Sequence, residues 1–321
     1  MTSSSSSPLP LPPDVTAAVA EEPVTEPAPQ PVAAGGETVR VGFQGEPGAF
    51  SEEAVFQLWR DKVEPVALRS FDDVMDSAEE KTVDYGLLPI ESTLVGGLDV
   101  AYDLLALHDG LSVVAETVLP IRLSVLGLPG ATIPNLRTVA SHPLMLAQCA
   151  YFFNRHRHIA AEPVWDTAAA AREVVERGDP TYAAAAGPLA AERFGLETVA
   201  AHVEDRPDTM MRFVAVAPEP AELKEGQAAR TALLCVLPNA SGALLALLQP
   251  IAVLQLNISH FASRPTREPW RYQFFLEFEH EAHDLRSERA IAAIRRACTF
   301  CRLLGTFPRW PTPAGFEPTR L

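Results

Sequence analysis

Cysteine is scarce in this chain: Cys149, Cys235, Cys298 and Cys301 are all there is in 321 residues. So few, so scattered, exclude the dense disulfide framework of a small secreted domain. Cys298 and Cys301 form a CxxC, but no second ligand pair accompanies it and it lies in a helical pattern. It reads as a buried helix face rather than a redox or zinc motif. Long apolar runs are missing too, and none reaches the roughly 18 residues of a membrane span. The opening MTSSSSSPLPLPP has neither a basic n-region nor an apolar h-region, so no secretory signal is read and a cytoplasmic location is expected. Basic residues are in deficit, 26 Lys and Arg against 41 Asp and Glu, for a net charge of −15. Residues 1–38 hold five of the acids and no base, which leaves −10 on the remainder. That balance repels a nucleic-acid backbone or an anionic membrane, and neither is expected as a partner. A small anionic substrate needs only one local cationic pocket and stays admissible. The spacing of Gly42, Gly45 and Gly48 departs from the dinucleotide fingerprint. No cofactor and no metal are expected.

At 47% hydrophobic residues the chain can bury substantial cores, and its length suggests two domains. Residues 1–38, rich in Ser, Pro, Ala and Glu without an apolar period, read as a disordered tail. A strand over 39–43 leads into a glycine loop and a helix over 52–59, with Ser51 as its cap and Glu52 and Glu53 in the first turn. Helices over 72–80 and 99–107 alternate with strands over 84–88, 113–119 and 121–128. After a short strand ending at Ala140, Ser141 is the expected N-cap of a helix with Pro143 in its first turn. Ser141 and Gln148, seven residues apart, then share one helical face. Helices over 167–177 and 188–194 follow, the second closed by Gly195. The alternation predicts an α/β fold with two lobes around a cleft, over residues 39–217. PEPAELKEG marks a linker over 218–228, and residues 229–310 carry a βαββαβ pattern, a ferredoxin-like unit. Pro250 is expected to kink or shorten its first helix. Residues 311–321 read as a C-terminal tail.

The stretch DRPDTMMRF (205–213) turns through Pro207 and sets Arg212 at the start of a strand, ahead of Phe213 and Val214. Read alone, it is as well a surface turn with an incidental arginine. The rest of the chain gives it weight. In order it carries QGEPGAFSE (44–52), PIEST (89–93) followed by GG (96–97), SHPLMLAQC (141–149), AAERFGL (190–196), MRF (211–213), GAL (242–244) and ASRP (262–265). With these motifs residues 39–310 resemble the prephenate dehydratase family. The resemblance implies a two-lobed α/β catalytic domain followed by an ACT domain, in homo-oligomers that are commonly dimers or tetramers.

Carried over position by position, it implies that Gly48, Ala49, Phe50, Ser51, Thr93, Gly96, Gly97, Ser141, Gln148, Thr167 and Phe213 line a prephenate site. It assigns the chemistry to Glu91, Ser92, His142, Thr209, Met211 and Arg212, with Arg212 clamping a substrate carboxylate. In the C-terminal unit it marks Gly242, Ala243, Leu244, Asn257, Ala262, Ser263, Arg264 and Pro265 as remnants of a phenylalanine site. Several positions depart from the family pattern: Ser92 stands for Asn, Gly97 and Gly187 for serines, and Met211 for the threonine that assists the departing hydroxyl. Hydroxide leaves only with a proton or hydrogen-bond donor, help typically worth about 10²–10⁴-fold. A thioether has no hydrogen to give, and Thr209 restores one only if the loop re-registers. Loss of carbon dioxide with retention of the hydroxyl, the ring proton coming from Glu91, His142 or water, is therefore the expected reaction. The departures resemble the non-aromatising prephenate decarboxylase branch of secondary metabolism. Prephenate dehydration is the alternative enzyme reading, and a non-catalytic amino-acid-binding regulator the reading of another class.

Overall fold

A computed structural model describes residues 38–266 and 268–311, so all but the last residue of the tail expected over 1–38, and all but the first of that expected over 311–321, lie outside the described residues. Three sheets organise the chain. The first lobe opens with β1 (Val39–Gln44), α1 (Phe50–Trp59), β2 (Val63–Leu68), α2 (Phe71–Glu79), β3 (Tyr85–Ser92), β4 (Gly96–Gly97), α3 (Asp99–Leu107) and β5 (Ser112–Pro120). The chain crosses into the second lobe through β6 (Ser124–Gly127), β7 (Thr138–Ser141), α4 (Pro143–Ala147), α5 (Ala150–Arg155), β8 (Ala160–Pro163), α6 (Thr167–Arg177), β9 (Tyr182–Ala186), α7 (Pro188–Phe194) and β10 (Glu197–Ala200). It returns with β11 (Met210–Ala217), which lies antiparallel between β3 and β5. The sheet orders are β2-β1-β3-β11-β5 and β10-β6-β9-β7-β8. The lobes are thus joined by two crossings, β5 to β6 and β10 to β11, as a cleft between them requires.

The C-terminal unit is β12 (Ala228–Val236), α8 (Ala243–Val253), β13 (Asn257–Pro265), β14 (Tyr272–Glu281), α9 (Leu285–Ala297) and β15 (Phe300–Pro308). Its antiparallel order β13-β14-β12-β15 is that of the ferredoxin-like unit. One face holds Leu233, Leu276 and Phe278 under Leu247, Ile251, Ala290 and Ile294 of the helices. The other packs Ala232, Leu234, Phe275, Leu304 and Phe307 into the first lobe's core with Val74, Leu88, Val214 and Val216. Sharing that core fixes the unit against β3, β5 and β11.

Four local expectations are corrected. Pro250 lies inside α8, which runs on to Val253; the carbonyl it leaves unbonded belongs to exposed Ala246, where water can serve it. Helix α1 starts at Phe50, with Ala49 at the N-cap position offering no side-chain cap, and not with Ser51 as cap. His142 rather than Ser141 caps α4, because Ser141 is the last residue of β7. That helix is only Pro143–Ala147, so the shared helical face expected for Ser141 and Gln148 does not form.

Candidate active site

Strand register sorts the candidate residues onto two faces of the first sheet. Directly opposed residues of an antiparallel pair point the same way, and successive residues point opposite ways. Met211 opposes Ser92 on β3 and Leu119 on β5, whereas Arg212 opposes Glu91 and Val118. Met211 and Ser92 share one face, Arg212 and Glu91 the other.

The Arg212 face is turned toward the C-terminal unit. The Arg212 Nη1 atom lies 3.0 Å from Glu116 Oε2 and 2.9 Å from Glu277 Oε2, and its Nη2 lies 3.1 Å from Glu91. Arg230 of β12 joins at 2.9 Å from Glu116 and 3.1 Å from Glu279, and His260 Nδ1 sits 3.5 Å from Glu91. Burial alone would raise the Glu91 carboxyl, but the His260 hydrogen bond and the Arg212 charge outweigh it and hold it down at about 2. Burial opposes the charge on Arg212 as well, and the surrounding carboxylates overcome it. Two expectations change here. Arg212 faces protein carboxylates on the side away from Met211, the residue beside which a substrate clamp is expected, although its Nη2 lacks a hydrogen-bond partner among the described residues. Glu91 is an ionised partner of Arg212 and His260, not a proton donor. The physical reason is the strand's period of two, which sends the residue after Met211 to the opposite face. Gly97 belongs on that side too: it opposes Glu91, and a Cβ there would come within 3.0 Å of the Tyr102 ring and 3.4 Å of His260. Its lack of a hydroxyl concerns the domain contact.

The Met211 face meets the lobe junction. Met211 and Phe50 pack against the first-lobe cluster of Phe43, Leu119 and Phe213 and also against the second-lobe cluster of Ile121, Leu123 and Met145. Phe213 is core in the first of these and reaches no polar site. The Phe50 ring fills the space that a side chain at Gly187 would need, a Cβ there falling 2.9 Å from Cε1. Ser92, buried, accepts the Leu94 amide at 3.2 Å. Thr93 Oγ1 accepts the Met210 amide at 2.9 Å and pins the start of β11, while Gly96 is exposed with φ +77°. The Thr209 hydroxyl donates to the Arg206 carbonyl at 3.1 Å and is buried in that turn. The floor beside Met211 is therefore apolar.

Around it the second lobe contributes polar ends. Ser141 Oγ donates to the Ala185 carbonyl at 2.6 Å and is wholly buried, so it braces β7 on β9 instead of facing a ligand. His142 Nδ1 accepts the Leu144 amide at 3.2 Å, which places the ring proton of the neutral imidazole on Nε2. The Gln148 amide nitrogen reaches the Leu144 carbonyl at 3.3 Å, and its buried Oε1 has no partner among the described residues. Thr167 is the buried first residue of α6.

Three features escaped the sequence reading. Asp166, not Thr167, carries the polar chemistry at α6: its Oδ1 caps the Ala168 and Ala169 amides, and Oδ2 lies 3.4 Å from where Gly45 would bear a Cβ. Burial raises its carboxyl, against the pull of the capped amides and His142. Asp before Thr-Ala-Ala-Ala was the available cap signal. Glu52, 2% exposed, accepts the Gly48 amide at 2.6 Å and pairs with Arg193 of α7 at 2.5 Å. Glu46 reaches Arg172 of α6 at 3.5 Å. These two pairs latch the β1–α1 loop onto the opposite lobe. Gly48, at φ +94°, lies so close to Ala190 that a Cβ would sit 3.0 Å from its Cα. Helix α1 opens without a side-chain cap, and its first turn carries the buried Glu52 carboxylate. An apolar floor, an uncapped helix terminus, an Nε2–H donor and a buried carboxyl can orient a small anionic ring compound and deliver a proton.

The family model for prephenate dehydratase matches residues 41–221. The chain is 34% identical over 283 residues to the chloroplastic arogenate dehydratase/prephenate dehydratase 2 of Arabidopsis thaliana, covering 85% of this chain and 74% of that protein. Among solved structures, the prephenate dehydratase of Arthrobacter aurescens in complex with L-Phe superposes with a TM-score of 0.77 at 28% identity, over 84% of this chain and 90% of that one. A structure described as GqqA, a novel type of quorum quenching acylase, superposes with a TM-score of 0.78 at 28% identity, over 85% and 98% of the two chains.

Proposed function

The chain belongs to the prephenate dehydratase family, and from that premise we propose that it removes carbon dioxide from prephenate while keeping the ring hydroxyl. One observation carries the reading. Register sets the Met211 thioether on the junction face, beside Ser92 and the Phe50 ring, where the family pattern has a threonine hydroxyl. Of the neighbouring hydroxyls, Thr209 donates to the Arg206 carbonyl and Thr93 to the Asp208 carbonyl at 3.4 Å, while Ser92, which accepts the Leu94 amide, is the shorter-reaching hydroxyl left on this face. Without the threonine donor at the leaving oxygen, expulsion of hydroxide forgoes the ~10²–10⁴-fold that general-acid help gives. Decarboxylation has no such need. The electrons of the broken carbon–carbon bond pass into the ring, and a proton on a ring carbon completes a non-aromatic product. His142 Nε2–H and the Asp166 carboxyl are the proton sources. Gln148 Oε1 accepts from the ring hydroxyl and keeps it in place. Non-aromatic products of this kind suit a secondary-metabolite pathway.

The test is product analysis with prephenate and with arogenate, by ultraviolet spectroscopy and mass. The expected product has lost carbon dioxide alone and has no aromatic absorption; phenylpyruvate or phenylalanine as sole product overturns the reading. Dehydration is the second reading, favoured by the Arabidopsis relative's name.

The proposal extends to the domains: catalysis in 39–217, a linker over 218–228 and an ACT-like module over 229–310. The module is proposed to bind phenylalanine weakly. Arg264 of the ASRP stretch is engaged with Asp99 and with Asp103 at 2.6 Å, and Asn257 with Glu279 at 3.2 Å. Gly242 turns into α8 at φ +82° with Leu244 exposed, while Ala262 offers no carboxylate. The exposed Leu245, Val253 and Phe261 support a homo-oligomer formed through this module. No helix among the described residues is long and apolar enough to cross a membrane.

A further inference from the structure

Three of the four cysteines converge at one end of the C-terminal unit, each from a different place in the fold. Cys235 is in β12, Cys298 is the residue that ends α9, and Cys301 is in β15. The CxxC therefore spans a helix-to-strand turn and not a helix face, which corrects the reading of that motif. Cys235 and Cys301 are directly opposed across the β12–β15 ladder, their sulfurs 3.9 Å apart, and all three sulfurs lie within 4.8 Å of one another. Cys235, 63 residues before Cys298, supplies the ligand that the motif lacks in sequence.

Cysteine serving as a small apolar residue accounts for Cys149, which is buried alone. It does not call for three thiols aimed at a single point. Sulfurs bound to one tetrahedral zinc at about 2.3 Å lie roughly 3.8 Å apart, and trigonal thiolate sites are of similar size. The Cys235–Cys301 pair already has this separation, and Cys298, within 4.8 Å of both, has at most about 1 Å to close, within reach of a side-chain rotation at a helix end. Cys298 and Cys301 are only partly buried, which gives an ion a way in, while Leu233, Leu247 and Ile294 close the inner side.

We propose that Cys235, Cys298 and Cys301 form a three-thiolate site for a soft d¹⁰ cation, Cu(I) or Zn(II), which clips the end of α9 to β12 and β15. Only S–H bonds break: each thiol releases its proton as the metal–sulfur bond forms, and no oxidant or reductant takes part. Three soft donors suffice for Cu(I), and Zn(II) takes a water as its fourth.

The experiment uses the full chain, reduced and stripped of metal, with four titratable thiols confirmed before Cd(II) is added without oxygen. Thiolate-to-cadmium absorption saturating at one equivalent is the expected result. It should persist in Cys149→Ser. In Cys298→Ser and in Cys301→Ser, both at partly buried element ends and checked for native circular dichroism, affinity should fall at least the ~10–100-fold that loss of an outer-shell partner already costs. Cu(I), the softest of the three ions toward thiolates, should displace the cadmium, and Zn(II) in large excess should compete with it at the same site. No thiolate absorption, a signal that survives in the Cys298→Ser/Cys301→Ser double variant, or displacement by neither ion overturns the proposal.

Discussion

Replacing Arg212 by Met separates a structural arginine from a substrate clamp. In the folded protein Arg212 lies among Glu91, Glu116 and Glu277, and the side chains of Glu116 and Glu277 are 1% and 6% exposed. A methionine fills much of the volume but removes one of the two arginines that serve these carboxylates. Breaking a buried pair by removing one partner costs roughly 3–5 kcal/mol. Arg230 remains 2.9 Å from Glu116 and 3.6 Å from Glu277, so the low end, about 3 kcal/mol, applies. That is a factor of roughly 150 in the unfolding equilibrium, read as a lower urea midpoint at pH 8.

Adding Glu277→Gln removes one of the carboxylates left without Arg212 and should recover part of the deficit. Turnover by the fraction that remains folded should keep its KM. A variant within about 0.5 kcal/mol of the parent whose kcat/KM nevertheless collapses through KM would refute this account and return Arg212 to the substrate.

Met211→Thr should convert part of the product to phenylpyruvate, with Ser92→Asn adding to it; absence of phenylpyruvate from the double variant, by chromatography, would place control of the outcome elsewhere. His142→Ala should lower kcat by about 10²-fold or more if Nε2–H delivers the ring proton, and a loss under threefold would remove it from the mechanism. Calorimetric titration with phenylalanine should show no micromolar binding, and tight binding with inhibition would favour a regulated dehydratase. Glu53, which burial and then Glu192 raise to about 7, stabilises the fold below about pH 4.5 and loses that contribution as pH rises through 7. Glu53→Gln should thus gain up to about 3 kcal/mol at pH 8 and little at pH 5, and equal gains at both would refute the assignment. In metal-free protein at neutral pH, iodoacetamide should modify Cys301, lowered to about 7 chiefly by the Cys235 hydrogen bond, long before Cys149, which burial pushes up to about 12; mass mapping reads the order.

What the sequence could reveal follows from how far each signal reaches along the chain. Capped, periodic helices such as α6 and α7 are written within a dozen residues, down to Gly195 closing α7 in the left-handed region. The run YAAAA carries no period of two, yet it forms β9, buried throughout. Its alanines are small because Ala170, Ala171 and Val174 of α6 lie directly upon it, a cause that sits outside the strand. The motif around Met211 falls where the two lobes meet, and motif order survives any error of register. Which way Arg212 points does not survive such an error, because a shift of one residue exchanges the two faces of a strand. Read as the start of a strand, Arg212 could face either way; only pairing of Met211 with Ser92, from 119 residues away, decides it. The same holds for the carboxylates that claim it. Glu116 and Glu277 belong to different domains, and no local pattern marks either as a partner of β11. A motif arginine therefore says that a cation is needed near the site. Whether it touches the substrate or holds the floor beneath it is a property of the sheet.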